Sequence, residues 1–227
     1  MGFNVKSTTL GGLGDWFCPH YCLLCGRVGA ILCAECKSYN MSGWANRCLK
    51  CGVIVRDVCV RCALPYDAAW VVGRRDNKLG ALVDKFKYQS VRAVGRPMAE
   101  MMSEVIPGLA AEVTVVPVPT IRKHVRERGL DHTALLAQRI AKLRGWRFER
   151  TVARMANTVQ VGADARMRKS QAKSAYALKK KIDFGRAYLV VDDVCTTGAS
   201  LEAVCRLLKE NGAQKAMVAV FVKSGEN

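Results

Sequence analysis

Four Cys-x-x-Cys pairs lie within 41 consecutive residues near the start of this 227-residue chain: Cys22/Cys25, Cys33/Cys36, Cys48/Cys51 and Cys59/Cys62. Two intervening residues let a tight turn aim both sulfurs at one ion, and four thiolates make the closed tetrahedral set of a structural Zn2+ site. Gly26 and Gly52 directly follow the second cysteine of two pairs, where a left-handed backbone carries no Cβ penalty. Seven residues lead from each of these knuckles to another pair. The region reads as two tandem half-modules holding one or two structural Zn2+ ions, and adjacent and crossed pairings both satisfy the spacing. A redox dithiol would need a βαβ setting, which this short, loop-rich stretch lacks. Few large apolar residues precede Pro65, so the metal is expected to fold the module, at an apparent ~10–16 kcal/mol per site. Cys18 and His20 are spare donors beside the first knuckle, and Cys205 reads as a buried thiol on a helix.

Eleven cysteines without a secretory leader pattern point to metal rather than disulfides. No run approaches the ~18 apolar residues of a membrane span, so the expectation is a soluble, cytoplasmic protein. Lys and Arg number 36 against 19 Asp and Glu, a net charge of +17. Between Thr120 and Arg186 stand 18 basic and 5 acidic residues. Such a belt attracts polyanions: pyrophosphate, nucleotides or nucleic acid.

After Pro65 the composition becomes that of an α/β domain. Ala69–Val72, Val113–Val116, Ala187–Val191 and Ala216–Val222 read as buried strands. Leu79–Phe86, Met98–Val105, Thr133–Leu143 and Ser200–Leu208 carry apolar residues at helical period. The stretch after Pro119 reads as a basic loop, and Arg154–Gln171 as a loop with one helical piece. Alternation of strands and helices implies a mostly parallel, Rossmann-like sheet covered on both faces.

The segment Tyr188-Leu-Val-Val-Asp-Asp-Val-Cys-Thr-Thr-Gly-Ala-Ser200 carries the chemistry. A hydrophobic strand ends in two acids, passes through small residues, and enters a helix. Ligands of open α/β sheets bind beyond the carboxyl ends of the strands. The turn over Val194, Cys195, Thr196, Thr197, Gly198 and Ser200 offers backbone N–H groups at a helix N-terminus, a phosphate cradle. Asp192 and Asp193 would repel that phosphate, so they are expected to accept hydrogen bonds from hydroxyls or help hold a divalent cation. A ribose 5-phosphate meets both demands.

The string resembles the PRPP-binding motif of type I phosphoribosyltransferases. With the knuckles, Phe86-Lys87-Tyr88, Val116-Pro-Val-Pro119, Arg128-Gly129-Leu130, Leu135-Leu136-Ala137, Arg154-x-x-x-Thr158-x-Gln160, Arg166 and Ala175-Tyr176, the chain from Cys22 onward resembles the ComF family of bacterial competence-associated proteins. That resemblance implies a zinc finger joined to a type I phosphoribosyltransferase-like domain and, in transformable bacteria, a role in uptake or processing of single-stranded DNA with competence-machinery proteins as partners. Leu130-Asp131-His132 stands where the family usually has aromatic-Asn-Gln, and Ser170 where it has Asn.

A transferase acting on PRPP must stabilise a leaving pyrophosphate, which suits Mg2+ held through substrate phosphates and one or two carboxylates. Asp192 and Asp193 are the candidate catalytic acids. Arg122, Lys123 and Lys87 are candidate pyrophosphate contacts, and Arg154, Arg166 and Arg168 a hood that excludes water. His124 and His132 read as exposed loop histidines. The sequence thus divides into a tail (1–14), a zinc-binding module (15–65) and a phosphoribosyltransferase-like domain (66–227). The rival reading is a non-catalytic single-stranded nucleic-acid-binding protein that keeps the loop as a ligand sensor, with Trp16 and Trp44 available to stack on bases.

Overall fold

The computed structural model describes residues 20–41, 47–55, 59–75, 77–88, 92–109, 112–155 and 175–225. Five strands form one parallel sheet: β1 (Ala68–Arg74), β2 (Val113–Pro117), β3 (Arg147–Phe148), β6 (Ala187–Cys195) and β7 (Lys215–Lys223), in the order β1-β7-β6-β2-β3. β2, β6 and β7 are apolar and rich in β-branched residues because both of their faces are covered. Chain order runs outward from β2 to β3, then returns to β6 on the other side and continues to β7. The reversal falls between β2 and β6, whose register pairs Val113 with Ala187 and Pro117 with Val191. Ligands of doubly wound sheets bind at such a switch point.

Helices α2 (Asn77–Tyr88), α3 (Gly95–Val105) and α5 (His132–Arg144) cover one face, burying Leu82, Phe86, Met98, Met102, Leu136 and Ile140 against Val115, Leu189, Val191 and Phe221. Gly95 permits the close approach of α3, since a Cβ there would stand 2.8 Å from the Phe86 ring. Helix α6 (Ala199–Glu210) covers the other face, placing Leu201, Val204, Cys205 and Leu208 on Val116, Tyr188, Val190 and Val220. Cys205 is fully buried, as its place on the apolar stripe requires.

The cysteine sets divide between these layers. Cys22 and Leu32 pack into the core under α2, α3 and α5, and α1 (Ala34–Asn40) is tied to α3 by the Lys37–Glu100 ion pair. Cys48, Leu49, Cys59, Leu64 and Tyr66 pack into the core under α6.

Five named elements, α1, β3, α4 (Arg122–Arg128), β4 (Val152–Arg154) and β5 (Tyr176–Leu178), are absent from the sequence reading. The basic stretch after Pro119 is helix α4 rather than a loop. Its single apolar residue, Val125, gives no periodicity to read. β4 and β5 form an antiparallel pair that the sequence reading does not assign. Each is three residues long, too short for alternation to register. The helical piece expected within 154–171 falls largely outside the described residues.

Candidate active site and metal centres

All five parallel strands end at one edge, and the acid-rich segment lies at its centre. β6 continues through both acids to Cys195, with Asp192 opposite Val220, Val194 opposite Val222 and Cys195 opposite Lys223. The turn is therefore shorter than the sequence suggests. Val194 and Cys195 belong to the strand, and only Thr196, Thr197 and Gly198 connect it to α6. Gly198 adopts φ 82° as the N-cap of α6, with no side chain capping the helix. The backbone N–H groups of Thr196, Thr197, Gly198 and Ser200 have no partner among the described residues, and Ala199 N–H faces Thr197 Oγ1 at 3.4 Å. A helix N-terminus left open with successive free donors is suited to an oxyanion.

Alternation along a strand sends adjacent side chains to opposite faces, so the two acids have different surroundings. Asp193 is buried against α2, where Lys87 Nζ lies 2.8 Å from its Oδ1. Asp192, half-buried, accepts the Asp193 backbone N–H through Oδ1 at 2.9 Å. Burial, and then the charge of Asp193, hold the Asp192 carboxyl well above its ordinary range. Cys195 is a buried thiol pushed up to about 11 by burial.

Across the ends of β2 and β3 lies an open trough. One lobe of about 500 Å³ is lined by Pro117, Thr120, Arg122, Arg126, Arg150 and Lys179, among others. A second of about 650 Å³ includes Lys123 and Met155. Arg122, Ala153, Arg154 and Lys179 line both. Arg154 stacks on the Tyr176 ring at 5.6 Å and donates to its hydroxyl at 3.3 Å. Asp131 is the acid in the first lobe. It caps α5 through Ala134 N–H, accepts from the Thr120 hydroxyl, and pairs with Arg150 at 2.9 Å. Arg122, Arg126 and Lys179 have no acidic partner among the described residues.

Of the candidates named from the sequence, Arg122, Lys123 and Arg154 come together on this trough. Lys87 does not; it is held at Asp193 and lines neither lobe. Arg166 and Arg168 lie outside the described residues. His132 corrects the expectation of an exposed loop histidine. It opens α5, is 2% exposed, and meets the Phe86 ring edge-on at 4.7 Å. The trough also gathers Arg126, Arg150 and Lys179, which the sequence does not single out and whose only signal there is the basic belt. Lys223, 4% exposed at the end of β7, is likewise absent from the sequence candidates.

The thiolates form two complete sets, Cys22/Cys25/Cys33/Cys36 and Cys48/Cys51/Cys59/Cys62, each with all sulfurs within 4.8 Å of one another. Adjacent pairs therefore share a site. Cys25 to Cys33 and Cys51 to Cys59 are both 3.7 Å, against ~3.8 Å for the edge of a tetrahedron with 2.3 Å Zn–S bonds. The knuckles repeat: Cys22 N–H donates to Arg27 O and Gly26 N–H to Cys22 O, as Cys48 N–H does to Val53 O and Gly52 N–H to Cys48 O. Gly26 and Gly52 have φ of 73° and 70°, the left-handed geometry their position implied. Burial would raise the Cys22 thiol, but backbone N–H groups of Cys33, Cys25 and Leu24 outweigh it and bring it to about 6. Both sets could hold zinc. Cys18 lies outside the described residues, and exposed His20 belongs to neither set.

Comparison with known proteins agrees with this architecture. A family model described as phosphoribosyl transferase domain matches residues 134–227. DNA utilization protein YhgH of Escherichia coli K12 is 26% identical over 214 residues, spanning 91% of this chain and 90% of that one. Competence protein F of Haemophilus influenzae is 26% identical over 207 residues, spanning 82% and 88%. The solved allosteric regulatory enzyme of purine biosynthesis overlaps 57% of this chain and 26% of its own, at 17% identity and a TM-score of 0.44. No helix among the described residues is long and apolar enough to cross a membrane. The sheet order, the acid-terminated strand and the matching family model give the chain a type I phosphoribosyltransferase fold, and the doubled cysteine sets with near-full-length similarity to these two relatives support its resemblance to the ComF family.

Proposed function

We propose that the chain binds PRPP, or ribose 5-phosphate, and acts as a phosphoribosyltransferase-like protein in DNA utilisation. The observation that carries this reading is the uncapped N-terminus of α6, with free N–H groups at Thr196–Ser200 directly after the acids of β6. The 5-phosphate would lie on those donors and on the hydroxyls of Thr196, Thr197 and Ser200. Asp192 and Asp193 would accept from the ribose hydroxyls, with Lys87 offsetting part of their charge beneath the sugar. In transfer, the C1–O bond to pyrophosphate breaks with its electron pair going to oxygen. An acceptor lone pair forms the new bond at C1, and the acceptor's proton leaves to solvent. Arg122 and Lys123, which line the trough, would compensate the charge of the departing polyanion, and Arg154 on the β4–β5 pair would help close the site. Mg2+ would enter with the diphosphate and spread its charge, with Asp192 the half-buried carboxylate available to it. The two four-thiolate sets would each hold a structural zinc ion, closed to substrate.

Calorimetric titration with ribose 5-phosphate and with PRPP plus Mg2+ tests this. Binding should be lost in the Asp192→Asn/Asp193→Asn variant. Equal affinity in the variant, or none in the native chain, overturns the reading.

The uncompensated Arg122, Arg126 and Lys179 favour a second, compatible reading, in which the trough tracks a single-stranded nucleic-acid backbone. Affinity for an oligonucleotide should then fall steeply with salt, by roughly 0.7 log units per log unit of salt for each neutralised phosphate. A flat dependence excludes it.

A further inference from the structure

Lys223 closes β7 with an ammonium buried in protein. The residue is 4% exposed, and no carboxylate among the described residues pairs with it. Its Nζ donates instead to two carbonyls, Thr196 O at 2.7 Å and Ser224 O at 2.9 Å. The backbone around it is fixed by ladder bonds, Ser224 N–H to Cys195 O and Arg75 N–H to Lys223 O, both 2.8 Å. A buried cation without a counter-ion is costly, so its persistence at this place asks for an anion nearby.

The geometry of one peptide unit shows what the contact does. A trans peptide is planar, and its C=O and N–H point in opposite directions. Thr196 C=O and Thr197 N–H belong to the same unit, and no peptide among the described residues is cis. Drawing the Thr196 carbonyl inward to Lys223 therefore turns the Thr197 N–H outward, away from the protein interior. That N–H is one of the unpartnered donors of the loop.

We propose that Lys223 is a positioning residue for the phosphate subsite: it fixes the peptide that aims Thr197 N–H at a phosphomonoester and supplies the buried positive charge behind the loop. The proposal rests on the sugar-phosphate reading above. It adds Lys223 to the residues that reading names.

Lys223→Met removes the charge and the donor at similar length. Its unfolding temperature without ligand should hold or rise, because a buried unpaired charge is gone. Its affinity for ribose 5-phosphate and for inorganic phosphate should fall roughly 10–100-fold, the range for losing a charge-assisted contact. The ³¹P resonance of bound ribose 5-phosphate should move toward its free position. Lys223→Gln keeps an N–H donor without the charge and should fall between, and it serves alone if the Met variant does not fold. Native protein that binds no ribose 5-phosphate defeats the sugar-phosphate reading itself. Native binding with both variants within twofold of it defeats only the role given to Lys223.

Discussion

Lys87 Nζ stands 2.8 Å from Asp193 Oδ1, with 18% and 6% of the two side chains exposed. The contact ties the last turn of α2 to the end of the central strand and places a cation under the acid pair. Removing one member of a buried pair leaves the other charge uncompensated, at a cost of about 3–5 kcal/mol. Lys87→Met should destabilise the chain by that order, whereas Lys87→Met/Asp193→Asn should recover much of the loss. Urea denaturation of both singles and the double gives the coupling energy. Additive effects would show that the pair carries no interaction.

Asp192 gives the opposite dependence from an ordinary paired carboxylate. Its folded-state affinity for protons is raised, first by burial and then by Asp193. The native state thus binds more protons than the unfolded chain from about pH 4 upward. Stability from this group declines as pH rises through that window, until the folded carboxyl has itself ionised. Asp192→Asn should flatten the slope and raise the unfolding temperature of the ligand-free chain at neutral pH. It should also weaken ribose 5-phosphate binding by about tenfold or more, through loss of a charged acceptor. Thermal unfolding across pH 4–8 with a ligand titration at neutral pH checks both arms.

Much of this arrangement was legible in the sequence because its signals are local. The Asp-Asp-x-x-Thr-Thr-Gly string, the knuckle glycines and the long apolar strands each carry their geometry within a few residues. The contacts of Lys87, which the sequence offers for pyrophosphate, and of Lys223, which it does not single out, are opaque for a different reason. A lysine at the end of a helix or strand reads as a solvated terminus, and only the packing of α2 on β6, or of β7 beside β6, turns it inward. The division of the cysteine sets between the two sheet faces was hidden likewise. Spacing fixes which thiolates can meet, while the surface each knuckle packs on is a tertiary property. His132 reads as exposed in the sequence because its neighbours, Arg128 and Asp131, are polar, while its burial comes from Phe86, 46 positions away.

His132 sets a second pH dependence. Neither ring nitrogen has a hydrogen-bond partner among the described residues. Burial lowers its proton affinity, opposed by the Phe86 backbone and Asp193 and reinforced by Arg128 and Lys87. The unfolded chain therefore takes the proton first as pH falls below about 6.5. Stability from this group is full above that value and is lost below it. His132→Leu should remove the slope and, by eliminating two unsatisfied polar atoms, stabilise the chain by about 1 kcal/mol at neutral pH. A histidine proton that titrates at its ordinary value in NMR would contradict the buried, neutral assignment.

Metal removal should act on both layers of the sheet at once, because one four-thiolate set packs under α2, α3 and α5 and the other under α6. Elemental analysis should return two zinc ions per chain, since each set closes its own tetrahedron. Cys36→Ser and Cys62→Ser should each reduce that count by one. Chelation should lower the unfolding temperature and open the set thiols to alkylation, with Cys25, the exposed member, among the first. Cys205 is fully buried and Cys195 nearly so, and burial raises the proton affinity of both thiols, so they should react only on global unfolding. Mass spectrometry of the alkylated peptides separates the two classes. A single zinc ion per chain, or loss of both on either substitution, would mean that the two sets do not act as independent sites.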